Sequence, residues 1–273
     1  MTHDKPVRSM VDSFPLRVTG VNAGLRLYVH EKTDIHVSRQ IREHGIWEAF
    51  ETELVVRLLG PGQCFLDVGA NIGYYSVLAA HLVGPQGRVV AFEPEPANFA
   101  LLQDNIQLNQ LTQATAVAAA LAATSGTARL HLNLENRGDH QLFPQDETRE
   151  SLQVQLLNGA EYLSTHGLLP DLVKIDTQGA ESAVVAGLMP VLKTVGAGLR
   201  LIVELTPAAL RAADSSGREL VELLAQLGLP FHIIDHIEHR LVATPEADLA
   251  LWCDNVDSVP EDQGFMNILV GEV

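Results

Sequence analysis

The stretch 64–73, C-F-L-D-V-G-A-N-I-G, constrains the fold more than any other part of the chain. An apolar run, Cys64-Phe65-Leu66, leads into Asp67. A turn of small residues follows, Gly69-Ala70-Asn71-Ile72-Gly73, and a helical pattern resumes over 74–83. That order is strand, tight loop, helix start. A loop with so little side-chain bulk lets the backbone approach a ligand, and a helix start offers unpaired N–H groups. About twenty residues past Gly73, the run 88–92 ends in Glu93, where βαβ folds place the acidic residue that binds ribose hydroxyls. The two features predict a nucleoside-binding βαβ unit.

The glycine frame narrows the ligand. The dinucleotide fingerprint is G-x-G-x-x-G. Counted from Gly69, Asn71 and Tyr74 occupy the second and third glycine positions, so the frame fails. The Gly-Lys-Ser/Thr of a P-loop is absent as well. What remains is Asp67, then small residues at alternate places, Gly69, Asn71 and Gly73.

Patterning extends the unit into a sheet. Core strands are predicted at 64–68, 89–93, 114–121, 172–175 and 199–205. Helices are predicted at 72–82, 96–108 and 182–192, with a further helical stretch over 207–227 broken at 215–217. Alternating strands and helices imply a parallel sheet covered on both faces. Segments 127–134 and 151–157 read as an inserted antiparallel pair around a polar loop at 135–150, with a short helix over 160–166. Segments 231–235, 240–242 and 266–270 read as closing strands. Before the core, 1–11 is polar and expected to fray, and 16–19 and 25–30 read as a hairpin. Helices are expected at 35–43 and 47–59, the second with Trp47, Phe50, Leu54, Val55, Leu58 and Leu59 near one face. The expected division is an N-terminal arm, 1–46, and a domain, 47–273.

Composition excludes some partners. The formal charge of −16 repels nucleic-acid backbones and anionic membrane surfaces, so neither is expected as a partner. The chain has two cysteines, Cys64 and Cys253, and the first lies in a predicted buried strand. A disulfide framework is therefore not expected. No signal peptide and no membrane span is expected either, and the expected location is cytoplasmic.

Three blocks carry a resemblance: F-L-D-V-G-A-N-I-G-Y-Y at 65–75, F-E-P at 92–94 followed by Asn105 and Asn109, and K-I-D-T-Q-G-A-E at 174–181. Over about residues 47–205 they resemble the FkbM-type family of class I S-adenosylmethionine-dependent methyltransferases. The family's later block is K-x-D-x-E-G-x-E, so Gln178 stands where a glutamate is usual. R-G-D-H at 137–140 stands where a Gly/Ser-rich turn is expected.

The resemblance implies an α/β, Rossmann-like fold with a seven-stranded, mostly parallel sheet, S-adenosylmethionine as methyl donor and a hydroxyl as acceptor, on a small molecule, a sugar or a natural product. It implies a cofactor set of Asp67, Gly69, Ala70, Asn71, Gly73 and Tyr74 on the loop, with Glu93 on the ribose and Pro94 beside it. Ala119 and Ala120 would flank adenine, and Glu48 and Asp176 would complete the set. Gly69→Val is expected to fill the space of the cofactor contact and abolish S-adenosylhomocysteine binding in a folded protein.

Asp176, Glu204 and His140 are the catalytic candidates. Asp176 closes a strand at the carboxyl edge of the sheet, where ligands bind in open α/β folds. It can accept a proton from a hydroxyl, favour a sulfonium by charge, or hold a metal. His140 lies in a loop placed to act as a lid. Three of the candidates have a plain structural alternative: Asp176 as a loop-capping Asp, His140 as a solvated loop residue, and Glu48 as an exposed helix-start charge. His232, His236 and His239 are spaced for a helical face, but they fall on a predicted strand and turn, so no metal ligand is assigned. The chain has no Asn/Asp-Pro-Pro-Tyr-like motif after Ile175, which counts against nucleic-acid N-methylation. An NAD-dependent oxidoreductase on a related sheet and a non-catalytic cofactor-binding protein remain as alternatives.

Overall fold

Period-two alternation of large apolar side chains builds the sheet and assigns its two faces. Leu66, Val68, Val90, Phe92, Val173, Ile175, Leu201 and Val203 join one apolar cluster, while Phe65, Val89, Leu172 and Ile202 join the other. The computed structural model describes residues 12–31, 34–133, 135–143, 148–259 and 261–273. The expected fraying of 1–11 lies outside them.

The chain begins with β1 (Phe14–Pro15), β2 (Arg26–Leu27), α1 (Val37–His44) and α2 (Ala49–Leu58). The central repeat runs β3 (Cys64–Val68), α3 (Tyr74–Val83), β4 (Arg88–Phe92), α4 (Pro96–Leu108) and β5 (Ala114–Val117). A small sheet follows, β6 (Ala120–Ala122), β7 (Gly126–His131) and β8 (Ser151–Asn158), then α5 (Gly159–His166). The repeat resumes with β9 (Leu172–Ile175), α6 (Glu181–Val195), β10 (Arg200–Leu205), α7 (Pro207–Ala212) and α8 (Gly217–Ala225). It closes with β11 (Phe231–Asp235), β12 (Arg240–Ala243), α9 (Glu246–Asp257) and β13 (Met266–Val270).

The main sheet has the order β12-β11-β13-β10-β9-β3-β4-β5. Pairing is parallel from β5 through β4, β3 and β9 to β10, and antiparallel at β10–β13, β13–β11 and β11–β12. The sheet therefore carries eight strands, not seven, because the hairpin from β11 adds β12 at the edge. The break expected at 215–217 falls at 213–216, between α7 and α8.

Other segments differ from expectation too: the first strand of the N-terminal hairpin is Phe14–Pro15, not 16–19. The expected strand 114–121 is two strands in two sheets. Ala119 N bonds Val117 O at 2.9 Å, and this turn sends β6 away from β5 to pair parallel with β8. The alanine run carries no face pattern that marks the switch. The insert is thus three strands, with β7 and β8 antiparallel as expected. Helix α9 was missed in the tail. Its pattern was legible: Glu246 and Asp248 in the first turn suit a helix N-terminus, and Leu249, Ala250, Cys253 and Val256 form the buried face.

Residues before 47 are stitched to the core. Val18, Leu27, Val29 and Ile41 share a cluster with Phe50, Leu54, Phe65 and Leu78. Asn105 and Asn109, one turn apart on α4, act as a strand edge for this segment. Asn105 accepts from Tyr28 N at 2.6 Å and donates to Tyr28 O at 3.0 Å and Ile72 O at 2.8 Å. Asn109 pairs with Arg26 N and O at 3.0 and 2.7 Å. Asn105→Leu strands three buried backbone groups and is expected to cost about 3 kcal/mol, read from urea unfolding. A shift below about 0.5 kcal/mol would show that the segment is held by apolar contact alone.

Candidate active site

The chain leaves β3 toward β4 and β5 on one side and returns through β9 and β10 on the other. The crevice between the carboxyl ends of β3 and β9 is therefore the topological switch point, where open α/β sheets bind ligands. Asp176 N bonds Val68 O at 3.0 Å there. A cavity of about 500 Å³ opens at this edge. That volume suits a small-molecule or cofactor site.

Gly69 and Gly73 allow the turn through packing that the sequence does not show. Gly69 has φ +87°, and a Cβ added there would overlap the carbonyl oxygen of Asp176. The missing side chain makes room for the neighbouring strand end. Gly73, at φ +86°, caps α3, and an added Cβ would lie 2.5 Å from Leu102 Cδ1. Asp67, Gly69, Ala70, Asn71 and Tyr74 line the cavity; Gly73 does not. Asp67 is buried, accepts from Ser76 Oγ at 2.5 Å, and is pushed up by burial to about 6. The Tyr74 hydroxyl is engaged with Thr52 Oγ1 at 3.1 Å.

One end of the cavity is built around Glu93. Its carboxylate accepts from Asn71 N at 2.8 Å and Glu95 N at 2.9 Å. The Asn98 side chain also hydrogen-bonds this group, so of about four acceptor positions roughly one remains for a ligand hydroxyl. Burial pushes Glu93 up to about 8 against those two N–H groups. Pro94, Asn98, Ala120, Leu121 and His140 line the same cavity. Ala119 is buried and does not line the cavity.

The other end is organised by Lys174, which is only 4% exposed. Its ammonium lies 2.9 Å from Glu51, 3.3 Å from Asp176 and 4.0 Å from Glu48, and 4.8 Å from the centre of the Tyr75 ring. Burial pulls Lys174 down, but Glu51, Asp176 and Glu48 outweigh it and hold the group well above its ordinary value. Burial, reinforced by the charge of Glu51, pushes Glu48 up to about 8. Gln178 joins this end: its amide nitrogen donates to Asp176 Oδ1 at 2.8 Å and Glu204 Oε2 at 2.6 Å. Burial, then the charges of Asp176 and Glu181, push Glu204 well above the carboxylate range. Asp176 accepts with both oxygens, and it shares the Gln178 amide with Glu204.

Backbone strain concentrates here. Glu48, Asn71 and Gln178 are cavity-lining residues with φ of 41°, 50° and 53°, in a region costly for residues with a Cβ. Glu181 locks the loop after β9, accepting from Thr177 N at 2.9 Å and Gly179 N at 2.9 Å. It supports the site without lining it.

The expected catalytic trio is divided. Asp176 and Glu204 meet through Gln178. His140 stands with the Glu93 end, where the charged groups acting on it are Glu95, Arg137, Asp139 and His30. The three spaced histidines diverge as well: His232 lies on β11, His239 stacks on Phe50 at 5.6 Å, and Asn267 donates to both Glu51 Oε2 at 2.6 Å and His236 Nε2 at 3.3 Å. Glu51, Gln178 as a bridge, and the cavity walls Trp47 and Phe265 were not foreseen. Glu51 had a legible signal, a charge between Phe50 and Leu54 on the apolar face of its helix.

The raised carboxyls fix a pH dependence. In the unfolded chain these groups titrate near pH 4. Glu93 and Glu48 titrate about pH 8 in the fold, and Asp67 about pH 6. Between these values the folded protein holds more protons, so the stability they contribute is full below about pH 4 and is lost as pH rises through the folded values. The urea midpoint is expected to fall from pH 6 to pH 8.5, with a smaller fall in Glu93→Gln. A midpoint that rises over this range would contradict the assignment.

A parallel sheet with this strand order, an antiparallel β13 next to β10, and a glycine loop and acidic residue at its switch point define a class I methyltransferase fold. The chain belongs to the family described as Methyltransferase FkbM domain, whose sequence pattern matches residues 67–230. It is 26% identical to "Methyltransferase 1" of Beauveria bassiana over 47% of this chain and 59% of that protein. It is 39% identical to "31-O-demethyl-FK506 methyltransferase FkbM" of Streptomyces tacrolimicus over 32% of this chain and 28% of that protein. The chain therefore spans less than two thirds of either curated relative. A crystal structure of "Methyltransferase FkbM" from Methylobacillus flagellatus aligns with a TM-score of 0.47 and 12% identity, over 80% of this chain and 50% of that one.

Proposed function

We propose that the chain is an S-adenosylmethionine-dependent methyltransferase acting on a hydroxyl oxygen of an uncharged small-molecule or sugar-like acceptor. The observation that carries this reading is the two-ended cavity: a hydroxyl-accepting carboxylate at Glu93, and a bridged carboxyl pair, Asp176 and Glu204, beside Lys174. The residues fit the donor. Glu93 keeps acceptor capacity for a ribose hydroxyl, Ala120 and Leu121 give an apolar wall, and Asp176 favours a cationic ligand by charge. Bound there, the donor supplies an electrophilic methyl group on a positively charged sulfur. Attack by oxygen makes the hydroxyl proton strongly acidic as the new bond forms, so a carboxylate suffices to receive it. Asp176 is that acceptor, and Glu204, joined to it through Gln178, orients the substrate oxygen. Trp47 and Phe265 flank the cavity and suit a partly apolar acceptor.

The printed name of the Streptomyces relative specifies a demethylated oxygen, which supports oxygen as the methylated atom. The formal charge of −16 argues against nucleic-acid and membrane acceptors. Among the described residues no helix is long and apolar enough to cross a membrane. Both cysteines are free and buried, in keeping with a reducing compartment, and the proposal places the chain in the cytoplasm.

Calorimetry with S-adenosylhomocysteine and with NAD tests the donor. S-adenosylhomocysteine is expected to bind, and binding of NAD alone would overturn the reading. Glu93→Ala is expected to weaken S-adenosylhomocysteine binding by about 10- to 100-fold, through loss of its hydrogen bonds to the ligand hydroxyls. Transfer of labelled methyl from S-adenosylmethionine to a panel of polyols, sugars and phenols tests the acceptor. Asp176→Asn is expected to retain S-adenosylhomocysteine affinity within about three-fold while slowing transfer by about 100-fold or more. Tight donor binding with no transfer to any of these would favour a non-catalytic role.

A further inference from the structure

His140 borders the cavity, yet the geometry removes it from the role of base. Its Nδ1 accepts from the backbone N–H of Asn133 at 3.0 Å. A backbone amide can only donate, so Nδ1 carries no proton. The proton of the neutral ring is therefore on Nε2. That atom is shielded from solvent and has no hydrogen-bond partner among the described residues. A buried donor left without a partner calls for an explanation. Asn71 Oδ1 is a second shielded, unpartnered atom, also on a residue lining this cavity.

The ring is held in place. Asn133 Nδ2 donates to Asp139 Oδ2 at 2.8 Å, Gln141 Nε2 donates to Asp139 Oδ1 at 2.7 Å, and Arg149 pairs with Asp139 at 3.2 Å. The loop is docked on both sides. Asn98 Nδ2 donates to Arg137 O at 3.0 Å, and Ile35 N donates to Glu135 O at 3.4 Å. Asn98 belongs to the first turn of α4, directly after the Glu93 strand end, so His140 is anchored beside the hydroxyl-accepting carboxylate.

We infer that His140 is a ligand-binding residue whose Nε2–H donates a hydrogen bond to an uncharged acceptor atom on the nucleoside half of the ligand, with Asn71 Oδ1 as the complementary acceptor. The ligand class is a purine nucleoside, which presents ring nitrogens and ribose oxygens as acceptors and amino or hydroxyl protons as donors. The assignment rests on the donor reading above. The charged groups around the ring are Glu95, Arg137, Asp139 and His30. Burial holds the imidazole down at about 4, so the ring keeps this single tautomer across the physiological range.

Nitrogen-15 histidine spectra test the tautomer without any ligand, with the His140 signal assigned by its disappearance in His140→Gln. The Nε2–H neutral form is expected from pH 8 to pH 5.5, and its signal is expected to shift on adding adenosine or S-adenosylhomocysteine. Calorimetry is expected to show His140→Ala weakening both ligands by about ten-fold, with His140→Gln, which restores a donor, within about three-fold of wild type. An Nδ1–H tautomer, or unchanged affinity in a folded His140→Ala beside a wild type that binds, overturns this inference alone. A wild type that binds neither ligand overturns the donor reading and this assignment with it.

Discussion

Gly69→Ala is expected to destabilise the protein by about 4 kcal/mol, before any question of ligand arises. Two costs add. An l-residue at φ +87° carries left-handed strain of roughly 1–2 kcal/mol. The new methyl also overlaps the carbonyl oxygen of Asp176, so β3 and β9 must separate at their carboxyl ends, an overpacking cost of about 1–3 kcal/mol. The sum is a large share of the 5–15 kcal/mol by which domains are typically stable. Urea unfolding of wild type and variant measures it. Wild-type stability with selective loss of S-adenosylhomocysteine binding would restore the simpler view, in which the glycine serves only the ligand. The same contact explains why the loop and Asp176 belong to one site: they touch through backbone, so their spacing does not depend on a flexible side chain.

Lys174→Met is expected to be as costly for a different reason. Removing the ammonium strands Glu51, which has no solvent exposure, and leaves Glu48 and Asp176 facing it without a cation. Breaking a buried ion pair on one side costs about 3–5 kcal/mol. The deficit is expected to shrink as pH falls from 8 to 5, because the stranded carboxyls can take up protons. Lys174→Met with Glu51→Gln is expected to recover a large part of the loss, since the two residues couple directly. Urea midpoints of the two single variants and the double variant at both pH values check this. A loss below about 1 kcal/mol at pH 8 would mean that solvent reaches the cluster and that Lys174 is not its organiser.

Local signals and distant contacts divide on physical grounds. The turn at 69–73, the strand ends at Glu93 and Asp176, and the break after α7 are legible in the sequence because each depends on neighbours a few residues away. Helix α9 carries an equally local signal. The split of the expected strand 114–121 was not legible, because alanines pack on either sheet and the deciding partner, β8, lies far along the chain. Asn105 and Asn109 were visible as a pair, but nothing local says that they bond the backbone at Tyr28 and Arg26. Gln178 read as a departure from a family pattern. Its bridge between Asp176 and Glu204 needs β9 and β10 side by side.

By itself the sequence determined that a βαβ unit with a small-residue turn would carry an acidic residue on its second strand, and that Asp176 would stand at the sheet's carboxyl edge. Hydrophobic period and turn chemistry act along the chain, so they survive without knowledge of the fold. Tertiary structure alone decided three things: that Gly69 faces Asp176, that Lys174 gathers Glu51, Glu48 and Asp176, and that His140 joins Glu93 and not Asp176. Each depends on strand order and register, which bring distant segments together, and on burial, which sets the charge those side chains can carry.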